Sequence, residues 1–538
     1  MRRTLAILAL LAAVVALPFV LRPRQPDAPG AADVLVIVTP HNEAIRHEFE
    51  VGFRRWYRAR TGRDVRLDWR TIGGGGDIVR FLQGEYVGSF QRLWTGAMGR
   101  PWSSAVQAGF QDGRLPPGAP AAVREARAAF LNSNVGCGID LFFGGGTYEF
   151  VGQAQAGFVV DSGILASHPG WFVPGTIPAA RGGETYWDPK GRWVGCVLSC
   201  YGILYNRDCL RRLGLAHLPK DWQDLADPRL AGQVALADPT KSGSVAEAFE
   251  GIMQQQIREA KGSGPELCDE IHNSGPDPFV ARGWVNGLRL LQAIGANARY
   301  FTDSAQKIPV DVADGDCAAG LCIDFYGRQQ EEALRRRGDP GRLGFATPVG
   351  GSVYSVDPVA MMRGAPDRGT SSAFIEYVVS MDGQKLWNLR AGVPGGPEQY
   401  ALRRLPVRRD FYAKGEWEAL RSDPGVNPYA DAQDFTYHPE WTARLFRELA
   451  FISRVLAEDA HPELVRAWRK IQAAPEPARS RALAALQDMS AVSYERADGP
   501  IRRALESKDL ADELRMARDL AAGFRGQYAR AEAIADGR

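Results

Sequence analysis

Hydrophobic positions along this chain fall into short continuous runs, each followed by a stretch with helical spacing. Val34 to Val38 is an unbroken apolar run, the pattern of a strand buried on both faces of a parallel sheet. Pro40, His41 and Asn42 make a turn. From Glu43 onward Ile45, Phe49, Phe53, Trp56 and Tyr57 fall on one face of a predicted helix. Val65 to Trp69 gives a second strand, Gly73 to Gly76 a turn, and Asp77 the start of another helix. The unit recurs three times. Ile139 to Phe143 leads through Gly144 to Gly146 into a helix from Thr147. Val234 to Ala237 leads through residues 238–244 into a helix that runs through Arg258. Leu321 to Asp324 leads through Phe325 and Tyr326 into a helix rich in Glu and Arg. Strand, turn, helix, strand is the grammar of α/β domains.

Each of these turns lies at the carboxyl end of a strand and the amino end of a helix, where open α/β sheets place their ligands. The first helical turn has N–H groups without partners and the positive end of the macrodipole, so it attracts anionic groups.

Length and charge narrow the picture. With 538 residues the chain is too long for one hydrophobic core, and two lobes with an appendage are expected. Its formal charge of +2 argues against a nucleic-acid partner, which calls for a strongly basic face. The seven cysteines, Cys137, Cys196, Cys200, Cys209, Cys268, Cys317 and Cys322, form no Cys-x-x-Cys pair and read as small buried hydrophobes. At the N-terminus Arg2 and Arg3 precede an apolar run from Leu5 to Leu21, then Arg22 and a Pro/Ala/Gly stretch. Residues 1–33 therefore read as a signal peptide or a short membrane anchor, which places the remainder outside the cytoplasm.

The glycine-rich stretches are not nucleotide motifs. Gly73-Gly-Gly-Gly-Asp77 lacks the Lys-Ser or Lys-Thr of a phosphate loop. No Gly-x-Ser-x-Gly elbow or His-Glu-x-x-His helix occurs, so no catalytic residue is assigned and no enzyme activity is expected.

Five segments carry a family resemblance: Leu35-Val-Ile-Val-Thr-Pro-His-Asn-Glu43, Phe142-Phe-Gly-Gly-Gly-Thr-Tyr148, Gly202-Ile-Leu-Tyr-Asn206, Trp222-Gln-Asp-Leu-Ala-Asp-Pro228 and Ala237-Asp-Pro-Thr-Lys-Ser-Gly-Ser244. They resemble the extracellular solute-binding proteins of ABC importers, in the branch that includes ferric-iron, phosphonate, thiamine and sugar-phosphate binders. The resemblance runs from about Val34 to Phe411. It implies an α/β, two-lobed periplasmic-binding-protein-like fold with interleaved lobes. Residues 34–185 and 350–411 would form the first lobe and 186–349 the second, with crossings near Trp193 to Tyr205 and Gly344 to Val356. It also implies a permease partner in the cytoplasmic membrane, a monomeric state and closure over a solute. Moving a 1:99 closure equilibrium to 99:1 takes about 5.5 kcal/mol of differential affinity. Helix dipoles at roughly 0.3–1 kcal/mol each do not supply this, so direct bonds to the solute must.

The residues expected to make those bonds are His41 and Asn42 after the first strand, Gly74 and Gly75, Thr147 and Tyr148, Ser242, Gly243 and Ser244, and Tyr326. In ferric binders of this family a histidine and adjacent tyrosines hold the metal. Here the tyrosine pair is replaced by Phe325-Tyr326, so His41 and Tyr326 are the metal ligands only if the cargo is ferric iron with a synergistic anion. A phosphorylated or carboxylated metabolite held by the helix-entry turns is the other reading, and both stay open. No resident cofactor is implied. An exported hydrolase on a similar scaffold and a membrane-anchored sensor are the alternatives in other functional classes.

Three further segments stand out. Gln83 to Arg127 reads as a Gly/Pro-rich insertion, in which Trp94 and Trp102 are core residues or, less simply, sugar-stacking platforms. Lys261 to Pro278 reads as a surface loop, with Cys268, Asp269 and His272 as a metal alternative. Beyond Phe411 the spacing of Trp441, Leu445, Leu449, Ile452, Val455 and Leu456, and of Leu464, Trp468 and Ile471, predicts a helical C-terminal extension over 412–538, packed on a lobe or offered to the permease.

Overall fold

The structure is a computed structural model. It describes residues 33–262, 277–348, 350–413, 415–430, 435–507 and 509–538. The N-terminal apolar run and the Cys268, Asp269, His272 loop lie outside them.

Two sheets organise the chain. The first contains β1 (Asp33–Val38), β2 (Val65–Arg70), β3 (Leu141–Phe143), β4 (Val159–Val160), β7 (Val194–Ser199), β13 (Ser355–Met362) and β14 (Leu405–Pro406), in the order β14-β7-β13-β3-β1-β2 with β4 paired to β13. The second contains β8 (Tyr201–Asn206), β9 (Val234–Ala237), β10 (Ala298–Thr302), β11 (Ala319–Ile323) and β12 (Leu343–Ala346), in the order β10-β9-β11-β8-β12. Pairs β1–β2, β1–β3, β9–β10 and β9–β11 are parallel, whereas β8 and β13 pair antiparallel with their neighbours. A short hairpin of β5 (Ala180–Arg181) and β6 (Glu184–Thr185) stands apart from both.

The lobes are interleaved because the chain changes sheet twice within the family-like region. It leaves the first sheet after Ser199 and enters the second at Tyr201, then returns between Ala346 and Ser355; β7, expected in the second lobe with residues 186–349, lies in the first sheet because it pairs with β13 and β14. The two crossings are bonded together, Tyr201 N–H donating to Ser352 Oγ at 3.1 Å. Trp222 Nε1 donates to Gly351 O at 2.8 Å and pins the return strand to the second lobe.

Helices follow the strands as the periodicity predicts. α1 (Glu43–Thr61) buries Ile45, Phe49, Phe53 and Tyr57, and ends at Gly62 in the left-handed region. α2 (Gly75–Arg92), α3 (Thr147–Ala156) and α4 (Gly243–Gly262) begin at the glycine turns, while α5 (Pro278–Ala296) packs against α4. α6 (Asp324–Arg336) starts at β11.

The stretch from Gln83 to Arg127, expected as a Gly/Pro-rich insertion, is largely helical. α2 continues to Arg92, and Ser104–Gly109 and Ala121–Asn132 are helical. Its apolar residues outweigh its turn residues: Phe90, Phe110 and Phe130 pack face and edge at 4.7–5.4 Å. Trp94 is 1% exposed and its indole donates to Pro101 O, so it is core and not a sugar platform. Trp102 packs edge-on against Phe90.

The C-terminal extension is helical, with α7 (Phe446–Ser453), α8 (His461–Ala473), α9 (Ala478–Leu486) and α10 (Leu510–Ala535). The apolar residues from Trp441 to Ile471 that set its periodicity are buried. It seats on the second lobe: Trp284 Nε1 donates to Val492 O, Gln292 Nε2 to Leu486 O, and Trp468 Nε1 to Asn297 Oδ1. Among the described residues the cysteines are unpaired, and all except Cys137 are buried.

Candidate functional site

The turns expected to hold a ligand face one another across the gap between the sheets, and the gap is closed. A Cβ placed on Gly74 would lie 2.8 Å from Lys241 O of the opposite lobe. A Cβ on Gly75 or Gly243 would lie 2.5 or 2.6 Å from Glu149 Oε1, and one on Gly146 would lie 2.8 Å from Glu149 Oε2. The amino ends of α2, α3 and α4 thus converge on one carboxyl group of the protein itself. Glu149 is the third residue of α3, from which a side chain reaches back to the helix's own first N–H groups. Burial raises its pKa to about 7, against the opposing pull of the N–H groups of Glu149 and Gly146.

Glu247, one turn into α4, faces the same space. Its Oε2 accepts from Tyr201 Oη and, at 3.3 Å, from Ser355 Oγ. Burial, and then the charge of Glu149, push its carboxyl well above the usual range. Beside it a cavity of about 20 Å³, the size of a single water, is lined by Glu184, Glu247, Glu250, Tyr201, Phe435 and Tyr437 among others. Burial raises Glu250 to about 7, and burial with the charge of Glu250 raises Glu184 to about 8.

Toward the hinge the cleft changes character. Thr39 Oγ1 donates to Phe143 O at 2.6 Å and accepts from His41 N–H at 3.1 Å, so the β1 turn is locked to β3 and its histidine points inward. His41 lies edge-on to Phe143. Gly144 has φ +87°, and a Cβ there would lie 2.4 Å from the imidazole, so the ring occupies space that only glycine leaves free. His41 Nε2 is 3.4 Å from Asp357 Oδ2 and 3.3 Å from Arg404 Nη1. Arg404 is fully buried: Nη1 donates to Asp357 at 2.7 Å, Nη2 donates to Ser199 Oγ at 2.6 Å, and the guanidinium lies 4.2 Å over the Phe325 ring of the second lobe. Burial would raise Asp357, but Arg404 and the His41 hydrogen bond outweigh it and hold the carboxyl at about 2. Burial lowers the His41 pKa, and Arg404 lowers it further against the bond to Asp357, so the imidazole is neutral at pH 7. Burial likewise raises the Tyr326 phenol, against the pull of Arg404.

The predicted residues therefore divide. Gly74, Gly75, Thr147, Ser242, Gly243 and Ser244 meet at the helix ends, and His41 and Tyr326 lie in the field of Arg404 and Asp357. Asn42 is spent on capping α1, accepting from Ile45 N–H at 3.1 Å. Ser242 Oγ accepts from Val245 N–H and pairs with Ser244 Oγ. Tyr148 is 46% exposed and meets Phe446 of the extension at 4.5 Å with the ring planes tilted. Among the described residues no group of three or more His, Cys, Asp or Glu side chains is arranged to hold a metal ion. The residues not foreseen are Glu149, Glu247, Tyr201, Asp357 and Arg404. Only Glu149 left a local signal, an acid three residues after the glycine that opens a helix.

Comparison with known proteins adds the following. A family model described as bacterial extracellular solute-binding protein matches residues 139–422, more than half of the chain. An uncharacterized protein of Haemophilus influenzae is 25% identical over 252 residues, 46% of this chain and 60% of that protein. The phosphoglycerate transport regulatory protein PgtC of Salmonella typhimurium is 26% identical over 195 residues, 36% of this chain and 40% of PgtC. The chain thus spans 60% and 40% of the length of these relatives. Among solved structures, the periplasmic binding protein AfuA of Actinobacillus pleuropneumoniae, with fructose-6-phosphate bound, aligns with a TM-score of 0.47 at 14% identity, over 81% of this chain and 98% of that one. Iron-bound HitA of Pseudomonas aeruginosa aligns at 0.43 and 15% identity, over 79% and 99%.

Proposed function

Since the chain belongs to the family of bacterial extracellular solute-binding proteins, we propose that it captures a small solute between its two lobes by hinge closure and delivers it to the permease of an ABC importer. The observation that carries this reading is the pair of bonded crossings with glycine turns from both lobes touching across the gap. Two bodies joined along one edge rotate about that edge, and a solute seated between the turns bridges them. On this reading residues 34–199 and 355–411 move as one lobe and 201–346 as the other. The protein works as a monomer outside the cytoplasm, held there by or released from its N-terminal segment, and it neither turns over its ligand nor binds nucleic acid.

For the solute itself, the surroundings of His41 favour an organic molecule with an anionic group over ferric iron. A permanent guanidinium charge 3.3 Å from the candidate metal-ligating nitrogen opposes a trivalent cation, and burial keeps the Tyr326 phenol protonated where iron needs a phenolate. Ferric iron remains the cargo of the competing reading, with His41 and Tyr326 as its ligands. An organic anion reaches the N–H groups of α2, α3 and α4 when Glu149 is neutral or turns aside, and a carboxyl at about 7 is close to neutrality. Neutral Glu149 then donates to the anion instead of repelling it.

A thermal-shift screen with ferric citrate, phosphate esters, phosphonates, thiamine and sugars tests both parts. A shift with a phosphate ester or phosphonate that survives Tyr326→Phe supports the organic anion. A shift with ferric citrate alone, abolished by Tyr326→Phe, overturns that choice of solute. No shift with any of them counts against capture of a solute in this cleft.

A further inference from the structure

Glu149 and Glu247 reach across the cleft in opposite directions. Glu149 belongs to α3 of the first lobe, yet a Cβ on Gly243, the first residue of α4 in the second lobe, would lie 2.6 Å from its Oε1. Glu247 belongs to α4, yet a Cβ on Gly146, the N-cap of α3, would overlap its Oε1. Each carboxyl therefore rests on the amino end of the other lobe's helix, where unpartnered N–H groups attract negative charge. The same Cβ position on Gly146 is 2.8 Å from Glu149 Oε2, so the two carboxyls also meet each other. Glu149 is buried, and Glu247 is steadied through its Oε2 by Tyr201 and Ser355. These contacts run from lobe to lobe, so any parting of the lobes breaks them.

The surroundings add acids and no counter-ion. Glu250 on α4 and Glu184 on the β5–β6 hairpin line the adjoining cavity with Tyr201 and Tyr437, and the charge of Asp357 on β13 bears on both Glu149 and Glu247. Among the described residues neither carboxyl forms an ion pair, because the cations of the neighbouring elements are engaged. Arg80 of α2 donates to Asp77 at 2.6 Å, Lys241 of the α4 turn to Asp303 at 2.6 Å, and Arg404 to Asp357 at 2.7 Å, while Arg181 of the hairpin lies over the Tyr429 ring. Two ionised carboxylates this close, shielded from water and without a cation, repel strongly, so at least one of the pair keeps a proton while the lobes touch. Parting the lobes separates the two charges and admits water, and both can then ionise. We propose that Glu149 and Glu247 form a proton-operated latch: the cleft closes with uptake of a proton onto this pair and opens when the proton leaves. Glu149 is held at about 7 in the closed arrangement against 4.5 for a solvated glutamate, so the closed form binds more protons between these values. The closure equilibrium therefore falls by up to about tenfold per pH unit as pH rises through that range. Glu247, raised by burial and by the charge of Glu149, acts in the same direction.

The latch is tested on the protein without added ligand, so its failure leaves the proposed transport role standing. The full chain, Glu149→Gln and Glu149→Gln/Glu247→Gln are compared from pH 5.5 to 8.5. Amide exchange, corrected for the intrinsic rate at each pH, is read at Gly74–Asp77 and Ser242–Val245, the turns that meet across the cleft, with the radius of gyration from solution scattering. Leu456 and Trp468 in the extension report any general loosening. The expected result in the parent is a loss of protection of tenfold or more at both turns and a larger radius as pH rises, with the extension amides unchanged. Glu149→Gln is expected to show a shallower change and the double variant none. The latch is overturned if the parent's turns stay within twofold over this range, if they respond only as far as Leu456 and Trp468 do, or if Glu149→Gln keeps the parent's full pH dependence.

Discussion

Replacing Glu149 by glutamine tests whether the converging helix ends hold a carboxyl at a net cost. Its pKa moves from 4.5 to about 7 on folding, which at about 1.4 kcal/mol per pH unit corresponds to about 3 kcal/mol. The sign follows from proton counts. Below pH 4.5 the carboxyl is protonated in both the folded and the unfolded chain and contributes no difference. Between 4.5 and 7 the unfolded chain has released a proton that the folded one retains, so stability falls as pH rises, and above 7 the full cost is present. Glutamine keeps the shape and an oxygen for the Gly146 N–H but never ionises. Glu149→Gln is therefore expected to match the parent near pH 4.5 and to exceed it by up to about 3 kcal/mol at pH 7.5 and above. The charge of Glu149 also raises Glu247, so its removal relieves that neighbour in the same direction. Urea unfolding of both proteins at pH 4.5, 5.5, 6.5 and 7.5 measures the difference. A difference that stays flat across this range, or a parent that gains on the variant as pH rises, refutes the claim that this carboxyl is held above its ordinary pKa.

Other sites give shorter tests. Arg404→Met leaves Asp357 buried without its cation and is expected to cost about 3–5 kcal/mol in urea unfolding, part of which Asp357→Asn recovers in the double variant. Gly74→Ala sets a methyl 2.8 Å from the backbone oxygen of Lys241 on the opposite lobe and is expected to prop the lobes apart, read as an increased radius of gyration with the helical circular dichroism unchanged. Thr39→Ala removes a hydroxyl that bonds both Phe143 O and His41 N–H; it is expected to cost about 1–3 kcal/mol and to speed amide exchange at His41.

What the sequence discloses about this protein follows the range of each interaction. The strand, turn and helix from Asp33 to Thr61 are readable because apolar spacing, an asparagine cap and a terminal glycine are all local. The pairing of Glu149 with Gly146 is local too, and an acid at that helical position is a known signature. The Asp357, Arg404 and His41 cluster joins residues 47 and 363 positions apart, and no spacing rule brings them together. Asn42 and Ser242 are of the right type and place for a ligand, and their oxygens also serve the helix ends behind them. The helices of the Gln83 to Arg127 stretch leave little trace in the sequence because its glycines and prolines mask its aromatic spacing, and aromatic packing settles a helix more firmly than a few glycines unsettle it.

The buried cysteines have a consequence for the oxidising compartment in which such proteins work. Burial raises the thiols of Cys196, Cys200 and Cys322, and raises Cys317 to about 11, so at neutral pH almost none carries the thiolate that oxidants attack. Their chemical survival is thus a property of the fold and not of the residues. Thiol loss under a mild oxidant becomes a clock for the fraction of time each region spends locally unfolded. The chain is most exposed to mispaired bridges before it has folded, on its way out of the cell interior.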